Sequence, residues 1–542
     1  MNDFAVARGS LGMRARKPSR LVPFALTAAL AAAPLAVSAE GTVTLGRTLD
    51  ADRYDPHRSS ALAAAEVLQM IGDTLVTLSP DQKTVLPELA ASWDVSEDGL
   101  TYTFHLKDGV TFCDGKPFTA NDVVGTMDRW LKPDAPHVST WRAGEVDSVT
   151  AADDLTVVYK LKVPSSNLLY QMANFNFIMI DPDQAAALGD DFGVTGFNGT
   201  GPFCLDSWKP RDEVVLTKHD GYNWGAPELG NAGPAYVDKV IWKIVPEAAT
   251  LVATIPAGEV DASYTVPKWA IAQFEADPTV QILTPESSYR TSYIGFKTSR
   301  PFMDDIRVRE AVAHAIDQEA QAEALYFGLA QPTESYFAKN VLDYPADTDT
   351  SAFTYDPEKT KELLTEAGFT MGADGIWEKD GQPLKLTYYG FNEALSLDIG
   401  QAVQGDLAKV GIALDVENYD STAIWGKLRE ETYDLYEMSY PYVSAGDALN
   451  LYFNSASIPS PNRMMWNDPE TDKLMAAGNA AITPEDRAAA FEELTRHVHE
   501  AVLWKPTVEE TPIVIAGPRL EAFVPAGLSG AVFDSGLNLK LK

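Results

Sequence analysis

Few stretches of this 542-residue chain bring together side chains able to do chemistry. His497-Val498-His499 beside Glu500 offers the residue types of a metal site, but residues two apart on a helix do not share a face, so the expectation is a pair of surface histidines and no metal. Asn198-Gly199-Thr200-Gly201-Pro202 has the glycines of a phosphate cradle. It lacks the Lys-Ser/Thr pair and helix that a phosphate loop requires, and Pro202 removes a backbone donor, so it reads as a turn entering a strand. Cys113 and Cys204 have no neighbouring Cys or His at metal spacing; they form one disulfide or remain two buried thiols, because sequence does not give their Cα separation. There is no His-Glu-x-x-His, no Gly-x-Ser-x-Gly and no dinucleotide-binding glycine run, and with seven histidines in all a hydrolase has little to work with. No cofactor is expected, and an exported hydrolase is a distant alternative. Aromatic and hydrogen-bonding side chains gather in Tyr388-Tyr389-Gly390-Phe391-Asn392-Glu393 and in Tyr440-Pro441-Tyr442-Val443-Ser444-Ala445-Gly446-Asp447. Rings in such runs serve equally well as core packing.

The elements that would position these groups are legible in places. From Thr101 to Lys107 the residues alternate, with Tyr102, Phe104 and Leu106 on one face, which predicts a half-buried strand. Asp108-Gly109 is a two-residue turn signal, and Val110 to Phe112 is expected to return from it as a second strand. Thr119, with Asp122 three residues on, resembles a capping box opening a helix that buries Val123, Val124, Met127, Trp130 and Leu131. Leu155 to Lys162 alternates again. Asp356-Pro357, Asp468-Pro469 and Thr483-Pro484 each place a capping side chain before a first-turn proline, predicting three helix starts, the last helix burying Phe491, Leu494, Val498 and Ala501.

Residues 1–39 read as a secretory signal, with Arg14, Arg16, Lys17 and Arg20 ahead of a small-residue apolar run, and cleavage is expected after Ala39. No cysteine stands at the new N-terminus, so the expectation is a soluble periplasmic protein without a lipid anchor. Removing that segment leaves 38 basic against 76 acidic residues, a net charge of −38 that disfavours nucleic acid and anionic membranes as partners. About 500 residues exceed one core and imply two or three domains.

Ser96-Glu97-Asp98-Gly99-Leu100-Thr101-Tyr102-Thr103-Phe104, then Asp108-Gly109-Val110 and Phe112-Cys113-Asp114-Gly115-Lys116-Pro117-Phe118-Thr119-Ala120, resemble the signature of the peptide/nickel family of extracytoplasmic solute-binding proteins, the receptors of ABC importers. Asn198-Gly199-Thr200-Gly201-Pro202-Phe203 and Arg307-Val308-Arg309 continue the resemblance, which runs from about Gly41 to the C-terminus. It implies a two-lobed α/β periplasmic binding protein with an extra subdomain on the first lobe: lobe I from 40–75, 198–290 and 504–542, the subdomain from 76–197, and lobe II from 291–503. It also implies a monomer that closes on a peptide or peptide-sized solute and delivers it to transmembrane permease subunits, with an oligosaccharide or opine-like conjugate as the alternative cargo. The family's dipeptide receptors hold a ligand carboxylate with an Arg before the helix preceding the Gly-Ile strand and an ammonium with an Asp shortly after a Trp. Both anchors are missing at those places here, where the chain offers Tyr389 and Phe391 in the first and Tyr440 and Tyr442 in the second; with Tyr54 and His57 near the start, and Asp447 should it take the ammonium role from a shifted position, these are the ligand contacts the resemblance implies, and little preference for free peptide termini is expected. Nickel transport usually draws on a His near the cleft, and only His57 is a candidate.

Overall fold

Thr42–Arg47 is buried along almost its whole length because it runs in the middle of a sheet, parallel to Lys239–Ile244 on one side and to Ala262–Ser263 on the other. The computed structural model describes residues 41–542 apart from 134, 286–287, 421–422, 431, 528–531 and the side chain of Tyr440. The signal segment and its cleavage point lie outside the described residues, and among these no helix is long and apolar enough to cross a membrane. The first sheet has seven strands, in the order Gln281–Leu283, Val514–Ala516, Ala262–Ser263, Thr42–Arg47, Lys239–Ile244, Glu213–Lys218 and Phe203–Lys209. Its core continues without a break into a four-stranded antiparallel sheet made of Ala90–Val95, Thr101–Leu106, Thr156–Leu161 and Val146–Asp153, the extra subdomain. A second, six-stranded sheet runs in the order Ala330–Pro332, Trp504–Glu510, Arg290–Phe296, Leu435–Pro441, Lys385–Phe391 and Ala413–Tyr419, and has its own core.

Local signals were obeyed where the partners are local. Thr119 and Asp122 form the capping box of helix Ala120–Trp130, which buries Val123, Met127 and Trp130 while Val124 and Leu131 stay half-buried. Asp356, Asp468 and Thr483 each accept a hydrogen bond from the first turn of a helix whose first residue is proline. The Gly199 and Gly201 turn runs against the end of helix Leu62–Ile71, and Gly201 N donates to Ile71 O at 3.2 Å. A Cβ on Gly199 would stand 1.9 Å from that same oxygen, so only glycine fits.

Three expectations are corrected. Val110 to Phe112 is not a returning strand: Thr101–Leu106 already pairs with Ala90–Val95 on one edge and Thr156–Leu161 on the other, so no edge is free. Val110 and Phe112 instead enter the core as a loop, tied by the bridge between Thr111 and Pro117. Residues 504–510, expected in lobe I, pair along Arg290–Phe296 in the second sheet, and the chain rejoins the first sheet only at Val514–Ala516. The apolar stretch at Trp504 is drawn there by its ring stack on Tyr293, with centroids 3.8 Å apart. Finally, His499 is not a surface residue: it is buried against Tyr336, its Nδ1 faces Thr495 O at 2.9 Å, and burial lowers its pKa to about 4. His497 alone stays near the surface, 2.7 Å from Asp468.

Candidate solute-binding site

A cavity of about 600 Å³ opens where four parts of the chain meet: helix Leu62–Ile71, the extra subdomain, the segment after strand Leu435–Pro441, and the C-terminal tail. Placement beyond the C-terminal end of a strand whose neighbour Lys385–Phe391 runs parallel to it is the usual location of a ligand site in such sheets. One side is polar, with Arg142, Gln171, Asn174, Ser444 and Asp447; the tail supplies an apolar side through Phe523, Pro525, Val532 and Phe533.

The polar side is built across the lobes. Ser444 caps helix Ala445–Tyr452 by accepting from Asp447 N at 3.1 Å, and its Oγ also accepts from Asn167 Nδ2 of the subdomain at 3.1 Å. Asp447 in turn accepts from Gln171 Nε2 at 3.3 Å and lies 3.6 Å from Arg142 Nη1, both from the subdomain. Arg142 and Asp447 are each only 6 % exposed, so the pair sits where charges interact strongly. Arg142 also donates to Gln171 Oε1. Further out, Arg487 of the second lobe pairs with Asp343 at 3.0 Å and donates to Ser166 O of the subdomain at 2.8 Å, and Ser166 Oγ donates to Gly478 O at 2.9 Å. Asp534 lines the tail side, and burial raises its carboxyl pKa above the ordinary range.

Of the candidates read from the sequence whose side chains are described, Asp447 lines this cavity and the others do not. Tyr54 is fully buried, accepting from Arg47 Nη2 at 2.9 Å and packed edge-on to Trp208. His57 is equally buried: its Nδ1 accepts from Arg129 Nη1 at 2.7 Å, its ring stacks on Trp130, and burial together with Arg129 holds its pKa well below the usual histidine value. Tyr389 shares a hydroxyl hydrogen bond with Thr432 at 2.9 Å inside the second core. Tyr442 is buried edge-on to Phe337 and Tyr452. Phe391 is half-buried beside Trp425. The Tyr440 side chain lies outside the described residues. Arg142 and the tail aromatics were missed. Arg142 sits in a short turn, Thr140–Ala143, with no local pattern to mark it, and only its apposition to Asp447 gives it a role.

Cys113 and Cys204 are joined in a disulfide, with Cα atoms 5.8 Å apart. His219 lies close to both sulfurs, the one group of metal-ligating residue types found among the described residues, but sulfurs bonded to each other are not thiolate ligands.

Two separately cored α/β lobes, joined by two crossings of the chain and meeting around a cavity whose polar side pairs Arg142 of one lobe with Asp447 of the other, define a receptor of the two-lobed binding-protein class. Residues 84–458 match the family described as bacterial extracellular solute-binding proteins, family 5, and the chain belongs to that family. Its members are receptors of ABC importers and not enzymes. The chain is 29 % identical over 480 residues to the glutathione-binding protein GsiB of Pectobacterium atrosepticum, covering 86 % of this chain and 87 % of that one. Its fold superposes on NikA of Brucella suis in complex with Fe(III)-EDTA with a TM-score of 0.81 at 24 % identity, over 93 % of this chain and all of that one. It superposes on a periplasmic binding protein of Helicobacter pylori in complex with the peptide STSA with a TM-score of 0.78 at 23 % identity, over 92 % and 98 % of the two chains.

Proposed function

We propose that this receptor captures a peptide-sized solute in the cavity between its lobes and hands it, as a periplasmic monomer released by cleavage near Ala39, to the permease subunits of an ABC importer. The observation that carries the reading is the cavity itself: about 600 Å³ suits a solute of a few residues, and its polar wall holds Arg142 and Asp447 face to face. In the absence of solute the two neutralise each other. A solute with an ammonium group and a hydrogen-bond acceptor exchanges that one pair for two contacts, the ammonium at Asp447 and the acceptor at Arg142, and the apolar tail side takes its side chains. The glutathione-binding relative supports a peptide-sized cargo, and an opine-like conjugate stays the alternative, since a fold neighbour of similar likeness is bound to agropinic acid.

A thermal-shift screen of the mature chain against di- to tetrapeptides, glutathione, oligosaccharides and opines tests this. A bound solute at a hundredfold excess over its Kd should raise stability by about 2.7 kcal/mol. Stabilisation by peptides is expected; stabilisation by sugars alone would overturn the peptide reading.

A further inference from the structure

Three charged residues line the cavity among the described residues: Arg142, Asp447 and Asp534. The first two answer each other across 3.6 Å on the polar side. Asp534 belongs to the tail side, and no lysine, arginine or histidine pairs with it among the described residues. Its side chain is half-buried, and the neighbouring group that favours its charged form is the Ser535 N–H. The residues behind the wall add negative charge and remove none. Glu88 is fully buried within range of Asp534, its carboxyl raised by burial and then by Asp73 and Asp534. Asp73 already accepts from Tyr222 Oη at 3.1 Å and from Trp224 Nε1 at 3.0 Å. Lys107, the cation that these two carboxylates attract, donates to Trp224 O at 2.6 Å. The cavity therefore carries one carboxylate more than it neutralises, in a chain with 77 acidic against 43 basic residues, whose overall field draws cations. A carboxylate drawn away from water without a partner costs free energy, and a cation brought by the solute would recover it.

The apolar residues beside Asp534 say what kind of cation fits. Val532 and Phe533 precede it, and Phe523 lies against Phe533 with ring centres 5.9 Å apart; all three line the cavity. Such a wall covers an aliphatic stem, and ring faces attract the charge at its end. We infer that Asp534 is a specificity residue of the receptor, which takes the ammonium or guanidinium at the end of a basic side chain of the bound peptide. Arg142 and Asp447 hold the solute by groups that every peptide has, whereas Asp534 selects among side chains. The inference deepens the receptor reading and rests on it, narrowing the cargo to peptides with a lysine-like or arginine-like side chain.

Calorimetric titration of the mature chain tests this with three probes: Ala-Lys-Ala, Ala-norleucine-Ala, which keeps the stem without the ammonium, and Ala-Glu-Ala. The wild type should bind the lysine peptide at least tenfold more tightly than the norleucine peptide, and the glutamate peptide most weakly. Asp534 has φ 49°, a left-handed backbone that Asn adopts as well as Asp does, so Asp534→Asn removes the charge and keeps the turn. In that variant the lysine peptide should lose at least tenfold while the norleucine peptide keeps its affinity, so that the two bind alike. Each ratio is taken within one protein, so a change in folded fraction cancels. The solute-free Tm of the variant should not fall below that of the wild type, since an unanswered charge has been removed. Equal binding of the lysine and norleucine peptides by the wild type, or a lysine preference that survives in Asp534→Asn, would overturn the inference and leave a peptide receptor standing. A lowered Tm together with an unchanged lysine preference would make Asp534 a structural residue and overturn it as well. Cadaverine bound more tightly than Ala-Lys-Ala would overturn the assignment to a peptide side chain. Absence of binding by all three peptides removes the peptide reading and the inference with it.

Discussion

Asp447→Asn probes the contact on which the polar wall of the cavity depends. At 3.6 Å from Arg142 Nη1, with both groups nearly excluded from solvent, the charge interaction amounts to about 5 kcal/mol at an effective dielectric constant of about 20. Much of that is returned, because the neutral amide no longer needs to be desolvated and its oxygen can still accept from Gln171 Nε2. Loss of the carboxylate from the first turn of helix Ala445–Tyr452 adds about 0.3 to 1 kcal/mol. A net destabilisation of about 1 to 3 kcal/mol is therefore expected, read by denaturant unfolding of the solute-free protein. For binding, the expected outcome is selective: at least a tenfold loss for a peptide with a free amino terminus, and no loss for the same peptide N-acetylated. Calorimetric titration of both peptides into both proteins measures it. A variant as stable as the wild type, with unchanged affinity for both peptides, would refute the reasoning about this wall.

Further outcomes follow from the rest of the molecule. The Cys113–Cys204 bridge closes a loop of 91 residues, and its loss in Cys113→Ser/Cys204→Ser should cost up to about 4 to 5 kcal/mol on the chain-entropy account; thiol titration of the denatured, unreduced exported protein should find no free thiol, and finding two would contradict the bridge. Tyr442→Ala should lower stability by about 3 to 5 kcal/mol while leaving affinity per folded molecule unchanged, since its ring is packed in the second core and does not line the cavity; weakened binding at full folding would show instead that it reaches the solute. His499 is held neutral by burial, with its folded pKa near 4 below an unfolded value near 6.5, so its contribution is fully present above about pH 6.5 and is lost as pH falls towards 4, by about 3 kcal/mol. Unfolding free energies of wild type and His499→Phe measured from pH 7 to pH 4 should converge over that window, and a constant difference would contradict the assignment.

What the sequence disclosed depended on how local each cause is. The Thr119 and Asp122 capping box and the Asp356-Pro357 start could be read because both partners lie within four residues. The failed strand at Val110 and the misplaced segment at Trp504 share a cause: which strand edge is free, and which sheet a strand joins, is decided by chain far away in sequence. The site was harder still. Tyr54, His57, Tyr389 and Tyr442 have the composition of a ligand-binding surface, but the same rings fill cores, and nothing in their spacing distinguishes the two uses. Asp447 was legible because the family resemblance calls for an ammonium-binding Asp near this place; Arg142, more than 300 residues earlier, was not, because its meaning lies in the partner it faces.

The central claim is that two lobes close on one solute without changing it. Isothermal titration of the mature chain with the best-stabilising peptide, followed by mass spectrometry of the solute released on unfolding, tests that most directly. The account predicts one binding site per chain, a negative heat-capacity change from the apolar tail side, and a solute recovered with its mass unaltered. Recovery of a cleaved or modified solute, or no binding by any peptide that carries both a free amino group and a carboxylate, would contradict it.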